Sequence, residues 1–191
     1  MGNILDYEKI TFVDVETTHL DPRRGEIIQI AILTEDRKGN VETYETKIKP
    51  YLPHGSFSEK ALEINGYNER DWADAPRFKD IAPEIVKRLT RGPIVAHNAL
   101  FDITYIENAL VRFSDWQKGN FTFFNDKTFR IGYPIIDTVA LAYLAVPTQK
   151  QNLNALREHF KISQEGAHEA LKDVQDCRQV FWRCIDKILN K

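Results

Sequence analysis

Hydrophobic and polar positions change their spacing as the chain proceeds. Segments 8–16, 26–35 and 41–49 carry strand patterns. Glu26-Ile27-Ile28-Gln29-Ile30-Ala31-Ile32-Leu33 is mostly apolar, as in a central strand, whereas Val41 to Ile48 alternates more and carries charge. Gly39-Asn40 marks the turn between the second and third strands, and the short loops predict an antiparallel meander. The spacing then becomes helical. Ser56-Phe57-Ser58-Glu59 fits a capping box, and Gly66 fits the stop of a short helix. Asp74-Ala75-Pro76 opens a helix to about Thr90, with Ile81, Ile85 and Leu89 on one face, and Gly92-Pro93 ends it. Ile94-Val95-Ala96 reads as a short buried strand. Helices follow at about 102–112, 138–145, 153–160 and 169–189, the last with Leu171, Val174, Phe181, Ile185, Ile188 and Leu189 at helical spacing. Strands first, then strand and helix alternating, predict an α/β chain with a mixed sheet flanked by helices. Phe121-Thr122-Phe123-Phe124-Asn125-Asp126-Lys127-Thr128-Phe129-Arg130 predicts a β-hairpin turning at Asn125-Asp126, an insertion over about 113–134.

Composition narrows the class. A chain of 191 residues reads as a single domain, 1–191, with that insertion. It should bury roughly 70% of its unfolded surface without a staple. Hydrophobic residues make up 42% and charged residues 28%, an ordinary soluble balance. No apolar run reaches the ~18–20 residues of a membrane span, and the N-terminus has no apolar signal core, so an intracellular, cytoplasmic protein is expected. Cys177 and Cys184, seven residues apart on one helix, would have Cα atoms ~10.5 Å apart. A disulfide needs less than ~7 Å, so both read as reduced packing residues. The net charge of −2 counts against an extended duplex-binding surface. It does not count against a site where bound cations supply the local positive charge.

Three short motifs carry the chemistry. In Phe12-Val13-Asp14-Val15-Glu16-Thr17-Thr18, Asp14 and Glu16 are two apart on a strand and project together, while Val13 and Val15 face the other way. Paired anions on one face resist burial unless a cation lies between them. Alone, the pair equally describes strand-end carboxylates reaching solvent. In His97-Asn98-Ala99-Leu100-Phe101-Asp102, Asp102 alone reads as a helix N-terminal cap. The polar His97-Asn98 at the carboxyl end of a buried strand stands where α/β folds place ligands. In His168-Glu169-Ala170-Leu171-Lys172-Asp173, the two ends lie ~140° apart around a helix. His168 therefore reaches Asp173's side only from the entry loop. Together the four carboxylates carry a formal −4, which two divalent cations balance. Oxygen ligands suit Mg²⁺ or Mn²⁺. Two such cations can stabilise both oxygens of an in-line displacement, and a neutral histidine can take the proton of the attacking water.

These segments resemble the DEDDh, or DnaQ-like, 3′–5′ exonucleases of the ribonuclease H-like superfamily. The resemblance runs from Ile10 to about Leu189 and includes Ile64-Asn65-Gly66, Asp74-Ala75-Pro76 and Ile136-Asp137-Thr138. It implies a mixed five-stranded sheet, three strands in the meander and the others parallel. It also implies that Asp14 bridges two metals, that Glu16 and Asp173 complete the site of the attacking water, and that Asp102 supports the second metal. His168 would be the general base. The backbone around Thr17 and Thr18 would hold the terminal nucleotide, Leu20 would wedge against its base, and His97, Asn98 and Phe101 would shape the pocket. The products would be nucleoside 5′-monophosphates.

Two departures stand out. The family usually has glycine after the threonine pair, where this chain has His19. A positive φ there would strain it, and contact with substrate phosphate is the alternative role. In the 113–134 insertion, Lys118, Lys127, Arg130 and the aromatics could clamp a strand, or the hairpin covers the flank. Trp72, Trp116 and Trp182 read as packing anchors, and His54, His159 and Lys150 as surface residues. Single-stranded DNA is the favoured substrate, with RNA open, since selectivity rests on the 2′-hydroxyl. A non-catalytic binding module and a polymerase proofreading subunit are the rival readings, and a polymerase or other repair partner is possible. The chain ends just after its last helix, from which a stand-alone enzyme, or a partner bound through the domain surface, is expected.

Overall fold

The computed structural model describes residues 4–53, 57–113, 131 and 134–190. Five strands form one sheet in the order β3-β2-β1-β4-β5. Strands β1 (Lys9–Thr17), β2 (Ile27–Asp36) and β3 (Val41–Lys47) are the antiparallel meander, and β4 (Ile94–Ala96) and β5 (Ile135–Asp137) add in parallel to β1. The apolar run of β2 is explained by its place between two neighbours under helices on both faces. The alternating β3 is a sheet edge. It ends at Lys47, two residues earlier than its pattern suggests. The strand pattern alone does not reveal β5, whose three residues end in a carboxylate and are only partly buried, unlike the wholly apolar, buried β4. The hairpin expected over 113–134 lies outside the described residues, apart from Phe113, Ile131 and Pro134, as do His54, Ser56 and Trp116.

The two faces of β1 do different work. Val13 and Val15, with Ile30 and Ile32 opposite them, pack under α2 (Phe78–Leu89) and α3 (Ala99–Phe113). Ile10 and Phe12, with Ala31 and Leu33, pack under α6 (Ala170–Leu189) through Val174, Cys177 and Phe181. Outside α6 lie α4 (Thr138–Ala145) and α5 (Leu153–Phe160), which share Val180 and Cys184 in a third cluster. Both cysteines are free and buried. Asp14 and Glu16 continue the stripe of Ile10 and Phe12 toward the carboxyl end of β1, so the face that builds the α6 core becomes acidic where the helix begins.

Helix starts differ from the expected ones for identifiable reasons. The short helix α1 (Glu59–Asn65) has Ser58 at its N-cap, and Gly66 closes it at φ 64°. This is the left-handed position that glycine occupies without strain. Pro76 does not open α2, because its carbonyl accepts from Lys49 N at 2.9 Å at the exit of β3, and Arg77 becomes the N-cap. Helix α3 begins at Ala99, three residues before the expected 102, so Asp102 lies inside its first turn rather than capping it. Trp72 is the packing anchor expected, buried with its indole N–H donating to Ile28 O at 2.7 Å. Trp182 donates to Glu35 at 2.7 Å, and His159 and Lys150 are exposed.

Candidate active site

The site forms at the carboxyl ends of the parallel strands, where α/β sheets leave a crevice. Strand β1 pairs with β4 only through Thr11 and Phe12. Beyond them the strands separate, and Asp102 enters the gap: its Oδ1 accepts from Val15 N at 3.0 Å. The carboxylate is 2% exposed. Burial raises its pKa well above the usual carboxylate range, and the Val15 N–H offsets part of that rise. Asp14, Glu16 and Asp173 each bring one carboxylate oxygen within 4.8 Å of the other two. Burial raises Asp14 strongly, and Asp102, Asp173 and Glu16 push it further in that order. Burial, and then Asp173, raise Glu16 to about 8. Three acidic oxygens converging with their charge opposed by burial form a set that could hold a cation. Carboxylate oxygens without nitrogen or sulfur fit hard divalent ions.

Helix α6 supplies Asp173 from its first turn, and the preceding turn supplies His168. Gly166 and His168 both have positive φ, 77° and 71°. For a residue with a side chain this conformation costs energy and persists only where its surroundings enforce it. Here the His168 N–H donates to Asp173 Oδ1 at 3.2 Å, so the carboxylate ties back the turn that carries the histidine. The His168 side chain is exposed and belongs to the entry turn, since α6 begins at Ala170.

Three residues that organise this region have no role assigned from the sequence: Asp137, named only within the family resemblance, Arg157 and Asp176. Asp137, at the end of β5, accepts from Asn98 N at 3.0 Å, Ala99 N at 3.1 Å and Val139 N at 2.8 Å, so one carboxylate serves the starts of α3 and α4. This is the capping role first given to Asp102. Arg157 is fully buried and reaches Asp173 Oδ1, Asp176 Oδ2 and Asn154 Oδ1. A sequence signal existed: Arg157 interrupts the apolar stripe of Leu153, Leu156 and Phe160, and Asp176 sits one turn beyond Asp173 on the buried side of α6.

The remaining expected contacts are distributed around this centre. Leu20 is 73% exposed at the exit of β1. Thr17 O accepts from Asn65 Nδ2, Thr18 N donates to Glu26 O, and Thr18 O accepts from Ser58 N, each at 2.9 Å. These main-chain groups are occupied within the protein. His19 has no positive φ, so the missing glycine causes no backbone strain; its Nδ1 accepts from Asp21 N. Asn98 is exposed with φ 64°, and Phe101 packs on the core with its ring 4.9 Å from that of Tyr105. The His97 Nδ1 lies 2.8 Å from Thr138 Oγ1, while its buried Nε2 has no partner among the described residues. Burial lowers its pKa and favours the neutral ring.

A model of the RNase T exonuclease family matches residues 11–181. The chain belongs to that exonuclease family, in its DnaQ-like branch. A PolC-type DNA polymerase III of Caldanaerobacter subterraneus subsp. tengcongensis is 29% identical over 185 residues, 96% of this chain and 12% of that protein. The chain thus spans about an eighth of such relatives. DNA polymerase III subunit epsilon of Treponema pallidum is 26% identical over 179 residues, 92% of this chain and 76% of that protein. Escherichia coli exonuclease I, solved with a dT13 oligonucleotide, superposes with a TM-score of 0.69 at 20% identity, over 94% of this chain and 41% of that one. This last likeness supports the mixed sheet and its helical layers. Among the described residues, no helix is long and apolar enough to cross a membrane.

Proposed function

We propose that this exonuclease-family chain, acting as a single domain over 1–191, hydrolyses phosphodiester bonds stepwise from 3′ ends and releases nucleoside 5′-monophosphates. The observation that carries the reading is the convergence of Asp14, Glu16 and Asp173 within 4.8 Å, with Asp102 buried behind them. Asp14, Glu16, Asp102 and Asp173 would hold two divalent cations, Mg²⁺ or Mn²⁺. When bound, these supply Lewis-acid stabilisation to the attacking and leaving oxygens of the displacement. His168 takes the proton of the attacking water as general base, from an exposed turn that allows its ring to meet substrate. Leu20 wedges against the terminal base. Thr17 and Thr18 border the nucleotide, with their occupied carbonyls fixing the shape of the rim rather than binding it. His97, Asn98 and Phe101 line the opposite wall.

Single-stranded DNA is the favoured substrate, because the two relatives described above are DNA polymerase III proteins and the superposed exonuclease I was solved with dT13. Likeness to polymerase chains also supports a polymerase or other repair partner. The deciding assay uses 5′-labelled DNA and RNA oligonucleotides with Mg²⁺ or Mn²⁺ and an EDTA control. A ladder shortening from the 3′ end, abolished by EDTA and faster on DNA, is the expected result. Faster RNA trimming would make the chain an exoribonuclease. Metal binding without cleavage of either would leave a nucleic-acid-binding module.

A further inference from the structure

We propose that Arg157 is a positioning residue of this site: its guanidinium holds Asp173, and through the same oxygen the His168 turn, in the arrangement that receives the cations. The inference rests on the function proposed above and adds a residue to its machinery.

Arg157 is fully buried, on a helix whose other buried residues, Leu153, Leu156 and Phe160, are apolar. Burying a guanidinium there is costly, and well-packed apolar residues often serve stability as well or better. What an apolar side chain cannot do is direct a carboxylate. The Arg157 fork is anchored at two corners: Nε donates to Asp176 Oδ2 and Nη1 to Asn154 Oδ1, both at 2.7 Å. Lys172 reaches the same Asp176 oxygen and also donates to Ser163 O, which neutralises the anchor and ties it to the loop before His168. The third corner, Nη2, donates to Asp173 Oδ1. That oxygen also accepts the His168 N–H. Oδ1 is therefore committed to two donors, and among the described residues no hydrogen bond reaches Oδ2. One oxygen is clamped by the protein and the other is left for a ligand. The clamp acts on the one member of the Asp14, Glu16, Asp173 set that comes from a helix rather than from β1, and so on the member whose placement depends on how α6 docks. Partners of this kind, held behind a ligand, orient it and change its metal affinity about 10–100-fold when removed.

The test compares Arg157→Lys with wild type in the full chain. Lysine keeps the charge and loses the three-cornered fork. Mg²⁺ is titrated into metal-free protein by calorimetry, thermal midpoints are measured with EDTA and with Mg²⁺, and turnover is measured on a 5′-labelled DNA oligonucleotide. The expected result is about a tenfold loss of Mg²⁺ affinity, a matching fall in kcat at saturating oligonucleotide, and an unchanged KM for the oligonucleotide. Leu156→Ala, a cavity in the same helix, is the control: its midpoint should fall while Mg²⁺ affinity holds. An equal affinity loss in that control would mean general loosening and would overturn the proposal. Wild-type Mg²⁺ affinity in Arg157→Lys would also overturn it, leaving the enzyme reading intact. If Arg157→Lys does not fold, Asp176→Asn decides through the same titration: a several-fold loss supports the clamp, and wild-type affinity removes it. A wild-type protein that binds neither Mg²⁺ nor Mn²⁺ would sink the function reading and this proposal together.

Discussion

At the scale of single residues, the acidic site works against the fold that carries it. Asp14 and Glu16 are raised by burial first and by neighbouring carboxylates second, so the metal-free protein is destabilised by their ionisation. Asp14→Asn should therefore stabilise the metal-free protein by roughly 1–3 kcal/mol, by relieving first the burial of charge and then the repulsion, and so raise its thermal midpoint in EDTA. It should also remove activity about a thousandfold or more, as expected when several kcal/mol of cation stabilisation are lost. Differential scanning fluorimetry and the oligonucleotide assay check the two halves. The pH dependence follows from Glu16, whose pKa is about 8 folded against 4.5 as the reference value. Between those values the folded state binds more protons than the unfolded one, so stability is highest below about pH 4.5 for this group and falls as pH rises through 8. A midpoint in EDTA that rises across this interval would contradict the buried-anion account. His168 adds a backbone consequence. His168→Gly should remove turnover like His168→Ala, yet be more stable than the alanine variant by about 1 kcal/mol, because only glycine is at ease at φ 71°.

At the scale of elements, one carboxylate joins three of them. Asp137 ends β5 and accepts from amides at the starts of α3 (Asn98, Ala99) and α4 (Val139). Asp137→Ala should cost about 2–4 kcal/mol in urea unfolding, the sum of two lost caps. A loss below half of that would mean other groups or water replace it. The Ala99 start of α3 shows why the sequence misassigned the cap. Asp102 is the acid nearest the expected helix start, while the residue that caps is 38 positions away. Helix spacing locates the apolar face of α3 but carries no information about which strand end will lie beside its first turn.

At the scale of the whole molecule, cations and folding should be linked. An ion bound only by the folded chain stabilises it by about 2.7 kcal/mol at a hundred times its dissociation constant. For a chain of this size that is roughly 5–10 °C in the thermal midpoint. Mg²⁺ should raise the midpoint by that amount and EDTA should reverse it. No shift at millimolar Mg²⁺ would argue against a cation site at Asp14, Glu16 and Asp173. The same scale separates what could be read early from what could not. Alternation along β1 put Asp14 and Glu16 on one face, the near-continuous apolar run made β2 central, and the three motifs named the carboxylates and the family. All of these depend on periods and spacings that are local along the chain. The convergence of Asp173 on Asp14, the entry of Asp102 between β1 and β4, and the clamping of Asp173 by Arg157 needed the packed molecule. They depend on the angle at which α6 crosses β1 and on where two strands part. No local period encodes those distances, because they are settled by the summed packing of Phe12, Val174, Cys177 and Phe181 in the core beneath the site.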